Sequence, residues 1–120
     1  MMNPQLETES MKVAQDNTHQ TVITTYEVNP GTFLDLLEEL ETAFETFLRK
    51  QDGFIAGAIH TNDAQTRIAN YTQWKTREHF QAALRSDEMR AYGRKFSALS
   101  KTFAPVLYDV ALTVSGGDSA

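Results

Sequence analysis

A short segment of the chain, Ile68 to Trp74, carries side chains whose types and spacing could do chemistry. Its residues are typical of a β-strand, in which every second side chain projects to the same face, so Asn70, Thr72 and Trp74 are expected to share one side. An amide is a donor of the type that forms oxyanion holes. An indole offers an N–H donor and a flat face on which an aromatic ligand can stack.

The same strand also has a simpler interpretation. A buried amide costs stability when it is left unpaired, so Asn70 could serve only to bond a neighbouring backbone group. Trp74, the single tryptophan of the chain, would then be an aromatic of the core or its rim. The strand pattern by itself favours this structural role.

Other chemical signatures are missing from the sequence. Gly53 and Gly57 do not form a phosphate-binding loop. His19, His60 and His79 are far apart and lack the spacing of metal ligands, so no metal site is predicted. At the end of a strand, as predicted for His60, a hydrogen-bonded surface histidine is the expected role.

The composition limits the class of protein. The chain has 120 residues, of which 41% are apolar and 22% charged, as in an ordinary single globular domain. Its net charge of −5 argues against nucleic acid as a partner, because phosphate contacts require clustered basic residues. No segment is typical of a signal peptide or a membrane span, and cysteine is absent, so a cytoplasmic protein without membrane contacts is expected.

The charges are unevenly distributed. Residues 1–52 contain ten acids and three bases, whereas residues 75–101 contain seven bases and three acids. Two complementary helix faces would explain this difference. Alternatively, some of the bases could hold an anionic or phenolic ligand.

Four strands and two helical units are expected between the termini. Strands are predicted at Thr21–Val28, Phe54–His60, Thr66–Trp74 and Ala104–Val114. A long amphipathic helix is predicted from Phe33 to Leu48, ended at Asp52-Gly53, where a left-handed cap is expected. A second helix in two pieces is predicted, with Thr76 and Ser86 as the caps. This order, β-α-β-β-α-β, predicts an α+β, ferredoxin-like fold with a four-stranded antiparallel sheet.

The termini have no sustained apolar pattern. Residues 1–18 are predicted to be a mobile arm, residues 19–114 the domain, and residues 115–120 a tail.

Both faces of the predicted sheet are apolar. One face is predicted to carry Val22, Tyr26, Val28, Phe54, Ile68, Trp74, Val106 and Val110, and the other Ile23, Ile55, Ile59, Ala69, Tyr71, Leu107 and Ala111. Because right-handed crossovers place both helical units on one face, the other face needs a different cover. A homodimer closed sheet to sheet is the simplest solution.

The order of motifs resembles a known family. Gly53-Phe54 opens a strand that ends at His60, and a polar turn leads to Asn70-Tyr71-Thr72-Gln73-Trp74, which is followed by a helix containing Phe80. Over residues 20–113 this resembles the antibiotic biosynthesis monooxygenase family. The asparagine four residues before the strand-ending tryptophan is similar to the pair in polyketide anthrone monooxygenases.

The resemblance implies a dimeric α/β barrel and a site between sheet and helices. It implies catalytic roles for Asn70 and Trp74, an anion-binding role for Arg90, and substrate contacts from the side chains Thr24, Thr72, Phe80 and His60. Arg90 could equally be an ordinary solvated helix residue. The implied partners are a small aromatic substrate, O2 and a second copy of the chain, without a cofactor or a metal.

Some positions depart from the relatives. Thr24 stands where some members have an asparagine, and Phe80 stands where the anthrone-oxidising branch has a tyrosine. Ala83 and Gly93 stand where the haem-degrading branch has a tryptophan and a haem-ligating histidine, which argues against haem oxygenation.

The resemblance therefore implies a cofactor-independent monooxygenase that oxidises a polycyclic phenol, anthrone or quinol with O2 to a quinone. Two alternatives stay open. One is a non-catalytic protein of this fold that binds a small molecule, and the other is a cyclase, isomerase or decarboxylase on the same scaffold.

Overall fold

The computed structural model describes residues 19–117, and these residues form one sheet covered by helices. The elements are β1 (Gln20–Glu27), α1 (Pro30–Thr46), a 3₁₀ turn (Leu48–Lys50), β2 (Phe54–Thr61), β3 (Arg67–Trp74), α2 (Arg77–Leu84), α3 (Asp87–Leu99) and β4 (Thr102–Tyr108). The strands pair antiparallel in the order β2-β3-β1-β4, which confirms the predicted α+β, ferredoxin-like fold. None of the helices within residues 19–117 has the length and apolar character to cross a bilayer.

The predicted boundaries of the arm, the domain and the tail fall near the two termini, and the structure describes only part of these. The arm assigned to residues 1–18 and the last three residues of the tail lie outside the described residues. The boundaries of the 19–114 domain therefore stay a prediction.

The two short helices begin where their capping residues predicted. The Thr76 hydroxyl oxygen accepts a hydrogen bond from the His79 backbone N–H at 3.1 Å, and the Ser86 hydroxyl oxygen accepts one from the Met89 N–H at 3.1 Å. Each bond satisfies a backbone donor that the first helical turn leaves unpaired, which typically stabilises a helix by about 1 kcal/mol. These caps fix where α2 and α3 start above the sheet.

The end of α1 differs from the prediction. The helix ends at Thr46 rather than at Leu48, because the Phe47 backbone leaves helical geometry at φ −124° and ψ −63°. This departure lets two successive side chains, Phe47 and Leu48, both be buried. Gly53 does have the expected positive φ, +83°, but it forms the turn into β2 after the 3₁₀ turn and does not cap the helix.

The core lies between one face of the sheet and the three helices. Its first cluster joins β1 and β3 to α1 and α3 through Tyr26, Val28, Phe33, Leu36, Leu40, Ala43, Ile68 and Phe96. Its second joins them to the 3₁₀ turn and α2 through Val22, Phe47, Leu48, Trp74, Phe80 and Ala83. We call the side of the sheet that these clusters cover the helix face, and the other side the open face.

In β2, the predicted alternation is broken by a bulge. Phe54 pairs with Trp74 but Ala56 pairs with Gln73, so the register shifts between them. After the shift Ile59 stands opposite Asn70 and packs against the helix-face core. The assignment of Ile59 to the opposite face was therefore wrong, because a bulge inserts one residue and exchanges the faces.

In β4, the predicted extent and faces both change. The strand runs Thr102–Tyr108 rather than Ala104–Val114, because its partner β1 begins at Gln20 and the pairing ends at Thr21 with Tyr108. Leu107 pairs with Val22 and contacts the core, while Val106 pairs with Ile23 on the open face and is 43% exposed. The sequence assignment had exchanged Val106 and Leu107.

Replacing Gly53 with alanine is expected to destabilise the fold. At φ +83° an L side chain is strained, and a Cβ would collide with the His79 ring. Urea unfolding should show a loss of about 2 kcal/mol or more in the free energy of unfolding. Gly31→Ala is the control, because a Cβ there meets no atom within 4 Å. Equal effects of the two substitutions would contradict this account.

Candidate active site

An apolar cavity of about 130 Å³ lies between the helix face of the sheet and the helices. The strands β1 and β3 line it with Val22, Thr24, Tyr26, Asn70, Thr72 and Trp74, and the helices line it with residues that include Leu40, Phe44, Phe80, Met89, Gly93 and Phe96. None of the described lining residues carries a charge. Such a cavity favours an uncharged aromatic ligand.

The pairing of β1 with β3 brings the predicted polar residues together. Thr24 stands directly opposite Asn70 in the register, and Thr72 follows two residues further on the same face. Phe80 of α2 closes the cavity beside Trp74, with ring centroids 5.7 Å apart. Five of the seven residues predicted from the sequence for this site therefore line one cavity.

The Asn70 side chain is only half satisfied. Its Nδ2 donates a hydrogen bond to the Tyr26 hydroxyl at 3.1 Å. Its Oδ1 is buried and has no hydrogen-bond partner among residues 19–117. A buried polar atom without a partner is destabilising, and it is a frequent feature of sites that bind a ligand. The suggested bond from the Asn70 amide to a neighbouring backbone group is not what the structure contains.

Trp74 presents a different group to the cavity from the one predicted. Its indole N–H donates to the Thr72 hydroxyl oxygen at 3.0 Å, so this donor is already engaged. The ring is 1% exposed and makes an edge contact with Phe54 at 5.2 Å. Because Thr72 accepts from Trp74, its own O–H is free to donate, and accepting a bond strengthens a hydroxyl as a donor. Trp74 thus contributes an apolar wall, and its N–H is bonded to Thr72 rather than free for a ligand.

Tyr26 belongs to the cavity but was not predicted as a site residue. It is 3% exposed and its ring stacks on Phe103 with centroids 5.4 Å apart. Burial raises the pKa of the Tyr26 hydroxyl well above its ordinary value, so the group stays neutral at physiological pH. The sequence did contain a signal for this role, because Tyr26 carries a hydroxyl and lies two residues after Thr24 on the same apolar strand face.

The two remaining predicted residues lie elsewhere. Arg90 is exposed on α3, because Met89 faces the cavity and the next helical residue turns about 100° away. His60 is exposed on β2, where the bulge puts it opposite Ala69 on the open face. Neither side chain lines the cavity.

The arrangement limits the chemistry that the cavity can perform. Its lining offers the Asn70 amide and the hydroxyls of Thr24, Tyr26 and Thr72, but among the described residues it offers no carboxylate, imidazole or amine as a general base. Likewise, no group of acidic or histidine side chains in residues 19–117 could hold a metal ion. The cavity can bind an aromatic ring and form neutral hydrogen bonds to its oxygen.

Most of the chain matches one known protein family. Residues 20–95 match the family model of the antibiotic biosynthesis monooxygenases. No curated protein sequence matches the chain significantly.

Solved structures share the fold at low sequence identity. SnoaB, a cofactor-independent oxygenase from Streptomyces nogalater, is 22% identical with a TM-score of 0.68, over 82% of this chain and 98% of its own. The ActVA-Orf6 monooxygenase of Streptomyces coelicolor, in complex with the ligand nanaomycin D, is 20% identical with a TM-score of 0.68, over 82% of this chain and 92% of its own. A putative antibiotic biosynthesis monooxygenase from Nitrosomonas europaea is 15% identical with a TM-score of 0.71, over 86% of this chain and 100% of its own.

A larger side chain on α3 that fills the cavity is expected to weaken ligand binding without lowering the stability of the fold. Gly93 lines the cavity and a Cβ there meets no atom within 4 Å, so Gly93→Leu should occupy the space intended for a ligand. Removing a glycine from a helix favours folding by up to about 1 kcal/mol. Quenching of the single tryptophan, Trp74, by 1,4-naphthoquinone should weaken at least about tenfold while the free energy of unfolding does not fall.

The matched control is Ala98→Leu, on the exposed side of the same helix. It should leave the quenching unchanged. If Gly93→Leu binds the quinone as well as the wild type does, the cavity is not the binding site.

Proposed function

The chain belongs to the antibiotic biosynthesis monooxygenase family, and on that premise we propose that it is a cofactor-independent monooxygenase acting on an aromatic substrate. The reaction is the oxidation of an electron-rich phenol, anthrone or quinol by O2 to a quinone. The observation that carries the proposal is the half-satisfied Asn70 amide, held in an uncharged cavity with aromatic walls. Catalytic roles for Asn70 and Trp74 are part of this proposal.

The reaction balances without another reductant. A phenol or anthrone that has lost a proton passes one electron to O2, and the resulting radical and superoxide combine to a peroxide. The peroxide then loses water, so that one O2 yields one quinone and one H2O. The substrate supplies all the electrons, and the protein has to bind the ring and stabilise negative charge on its oxygen.

The cavity supports this chemistry by acting on the acidity of the substrate. Since the described lining has no general base, the proton has to leave through solvent. A hydrogen bond to the substrate oxygen favours the conjugate base, which lowers the pKa of the bound substrate. The Thr72 O–H can donate such a bond, and the Asn70 amide can do so once its NH2 end is turned toward the ligand. The hydrogen bonds that hold the oxyanion are then also those that start the oxidation.

The size of the cavity limits the substrate. An apolar cavity of roughly 150 Å³ holds one benzene ring, and this one measures about 130 Å³. One oxygen-bearing ring therefore fits beside Asn70, and the further rings of a fused substrate would extend beyond this volume. The walls around that ring, formed by Phe80 and Phe96, favour flat ligands.

Turnover of substrate should depend on Asn70 and Trp74. With anthrone or a naphthol under O2, Asn70→Ala should lower the rate about 10²-fold, the usual cost of losing one oxyanion donor. Trp74→Phe should lower it less, because it removes the partner of Thr72 but keeps an aromatic wall. Rates of quinone formation and of O2 consumption measure both effects.

Asn62→Ala provides the control for these variants. The Asn62 amide also forms hydrogen bonds, to Thr66 and Arg67, but it lies in the turn between β2 and β3. Turnover per folded molecule should be unchanged. Unaltered turnover in both Asn70→Ala and Trp74→Phe would show that the site is assigned incorrectly.

A second candidate is a binding protein without catalysis. It is favoured by the absence of a general base from the described lining and by the apolar Phe80 beside Trp74. An aromatic ligand that stays bound in native mass spectrometry, without O2 consumption, would support this function over the monooxygenase.

The proposed working form is a homodimer closed through the open face. Two polar atoms on this face, the Tyr71 hydroxyl and Gln73 Nε2, are buried without a hydrogen-bond partner among residues 19–117. Val106 and Tyr108 are 43% and 47% exposed on the same face. A second copy would cover the exposed apolar side chains of this surface.

The dimer should be disrupted by a charge on the open face. Light scattering at micromolar concentration is expected to give twice the chain mass of 13.5 kDa for the wild type, and Val106→Asp should shift it toward the single chain. Leu34→Asp is the control, because Leu34 is 64% exposed on α1, away from the sheet. A monomeric wild type would contradict the proposal.

A further inference from the structure

We propose that Tyr26 is a positioning residue that lets the Asn70 amide present either its oxygen or its nitrogen to a ligand. The inference deepens the proposed function and depends on it for the identity of the ligand, a ring that carries a hydroxyl as substrate and a carbonyl as product.

The two ends of the Asn70 amide differ in hydrogen bonding. A primary amide has an acceptor at one end and a donor at the other, and rotation by 180° exchanges them with almost no change in shape. In the structure the nitrogen of Asn70 faces Tyr26 at 3.1 Å, and the oxygen is the buried end without a partner among the described residues. In this state the free end accepts, so it suits the hydroxyl of a phenol or quinol.

The Tyr26 hydroxyl is suited to both orientations of this amide. A tyrosine hydroxyl both donates and accepts, so Tyr26 can bond either end of the amide. When the amide turns, the Tyr26 O–H donates to Oδ1, and the Asn70 NH2 becomes the free end. This second state suits a phenolate or a quinone carbonyl, both of which only accept.

The surroundings keep Tyr26 in place for this task. Its ring stacks on Phe103 and meets the edge of Phe96 with centroids 6.1 Å apart, and it is 3% exposed. The hydroxyl stays protonated inside the core, so it keeps a hydrogen to donate. A carboxylate or an amine in the same position could serve only one of the two states.

The test is the ratio of two affinities. Binding of 1-naphthol, 1,4-naphthoquinone and naphthalene is measured by calorimetry without turnover, so that hydrogen bonding is separated from apolar contact. The wild type should bind both oxygenated ligands about fivefold or more tightly than naphthalene. Tyr26→Phe should reduce both ratios toward one, whereas a merely structural loss would weaken all three ligands in parallel and leave the ratios unchanged.

Two further variants complete the test. Tyr92→Phe also removes a tyrosine hydroxyl with one side-chain partner, Thr46 at 3.2 Å, but outside the cavity, and it should keep the ratios. Asn70→Leu should reduce the ratios to what the Thr72 hydroxyl alone supports, and adding Tyr26→Phe to it should change nothing further if Tyr26 acts through Asn70. Additive effects, or ratios retained in Tyr26→Phe, would overturn the proposal.

A measurement on the wild type covers the case in which Tyr26→Phe does not fold. The side-chain NH2 resonances of Asn70 should move differently with 1-naphthol and with 1,4-naphthoquinone, because opposite ends of the amide meet the two ligands. Identical shifts would overturn the pairing. If the ratios hold but no quinol or anthrone is oxidised, the proposed function fails and the amide-positioning role stands.

Discussion

The pairing of β1 with β3 is the constraint on which the rest of the structure depends. Eight consecutive pairs, from Gln20 with Trp74 to Glu27 with Arg67, fix which side chains of both strands face the helices. A slip of one residue would turn Asn70 and Trp74 to the open face. The same register puts Thr24 opposite Asn70 and brings Tyr26 close enough to bond its amide. The core and the cavity are thus two results of one alignment.

The polar groups that line this cavity in the described residues are all neutral. In an apolar site hydrogen bonds to such groups are stronger than in water, because little solvent competes with them. Since these donors and acceptors are neutral, the described lining buries no charge of its own. Arg90 and the other bases of α3 remain in solvent, which agrees with the simpler interpretation of the uneven charge distribution. The charged residues that the structure describes therefore lie outside the cavity lining.

Much of this could be predicted from the sequence, because it follows from local rules. The caps at Thr76 and Ser86 and the alternation of β3 depend on near neighbours in the chain, and the structure contains them. The face of Val106 could not be predicted, because it depends on pairing with a strand some 80 residues away in sequence. The face of Ile59 depends on a bulge that no residue type announced. The sequence predicted that the Trp74 N–H could donate to a ligand. Its bond to the Thr72 hydroxyl could not be predicted, because it depends on the conformations of both side chains.

Both edges of the four-stranded sheet are irregular. At one edge β4 carries Pro105, which has no N–H to offer to a further strand. At the other edge the bulge between Phe54 and Ala56 interrupts the even row of backbone groups along β2. A regular, exposed edge strand can pair with a strand of another molecule, and repeated pairing of this kind leads to fibrils. Both edges of the sheet in the described domain are therefore poorly suited to pairing with a strand of another molecule. A second copy of the chain would pack more readily on the open face than on an edge.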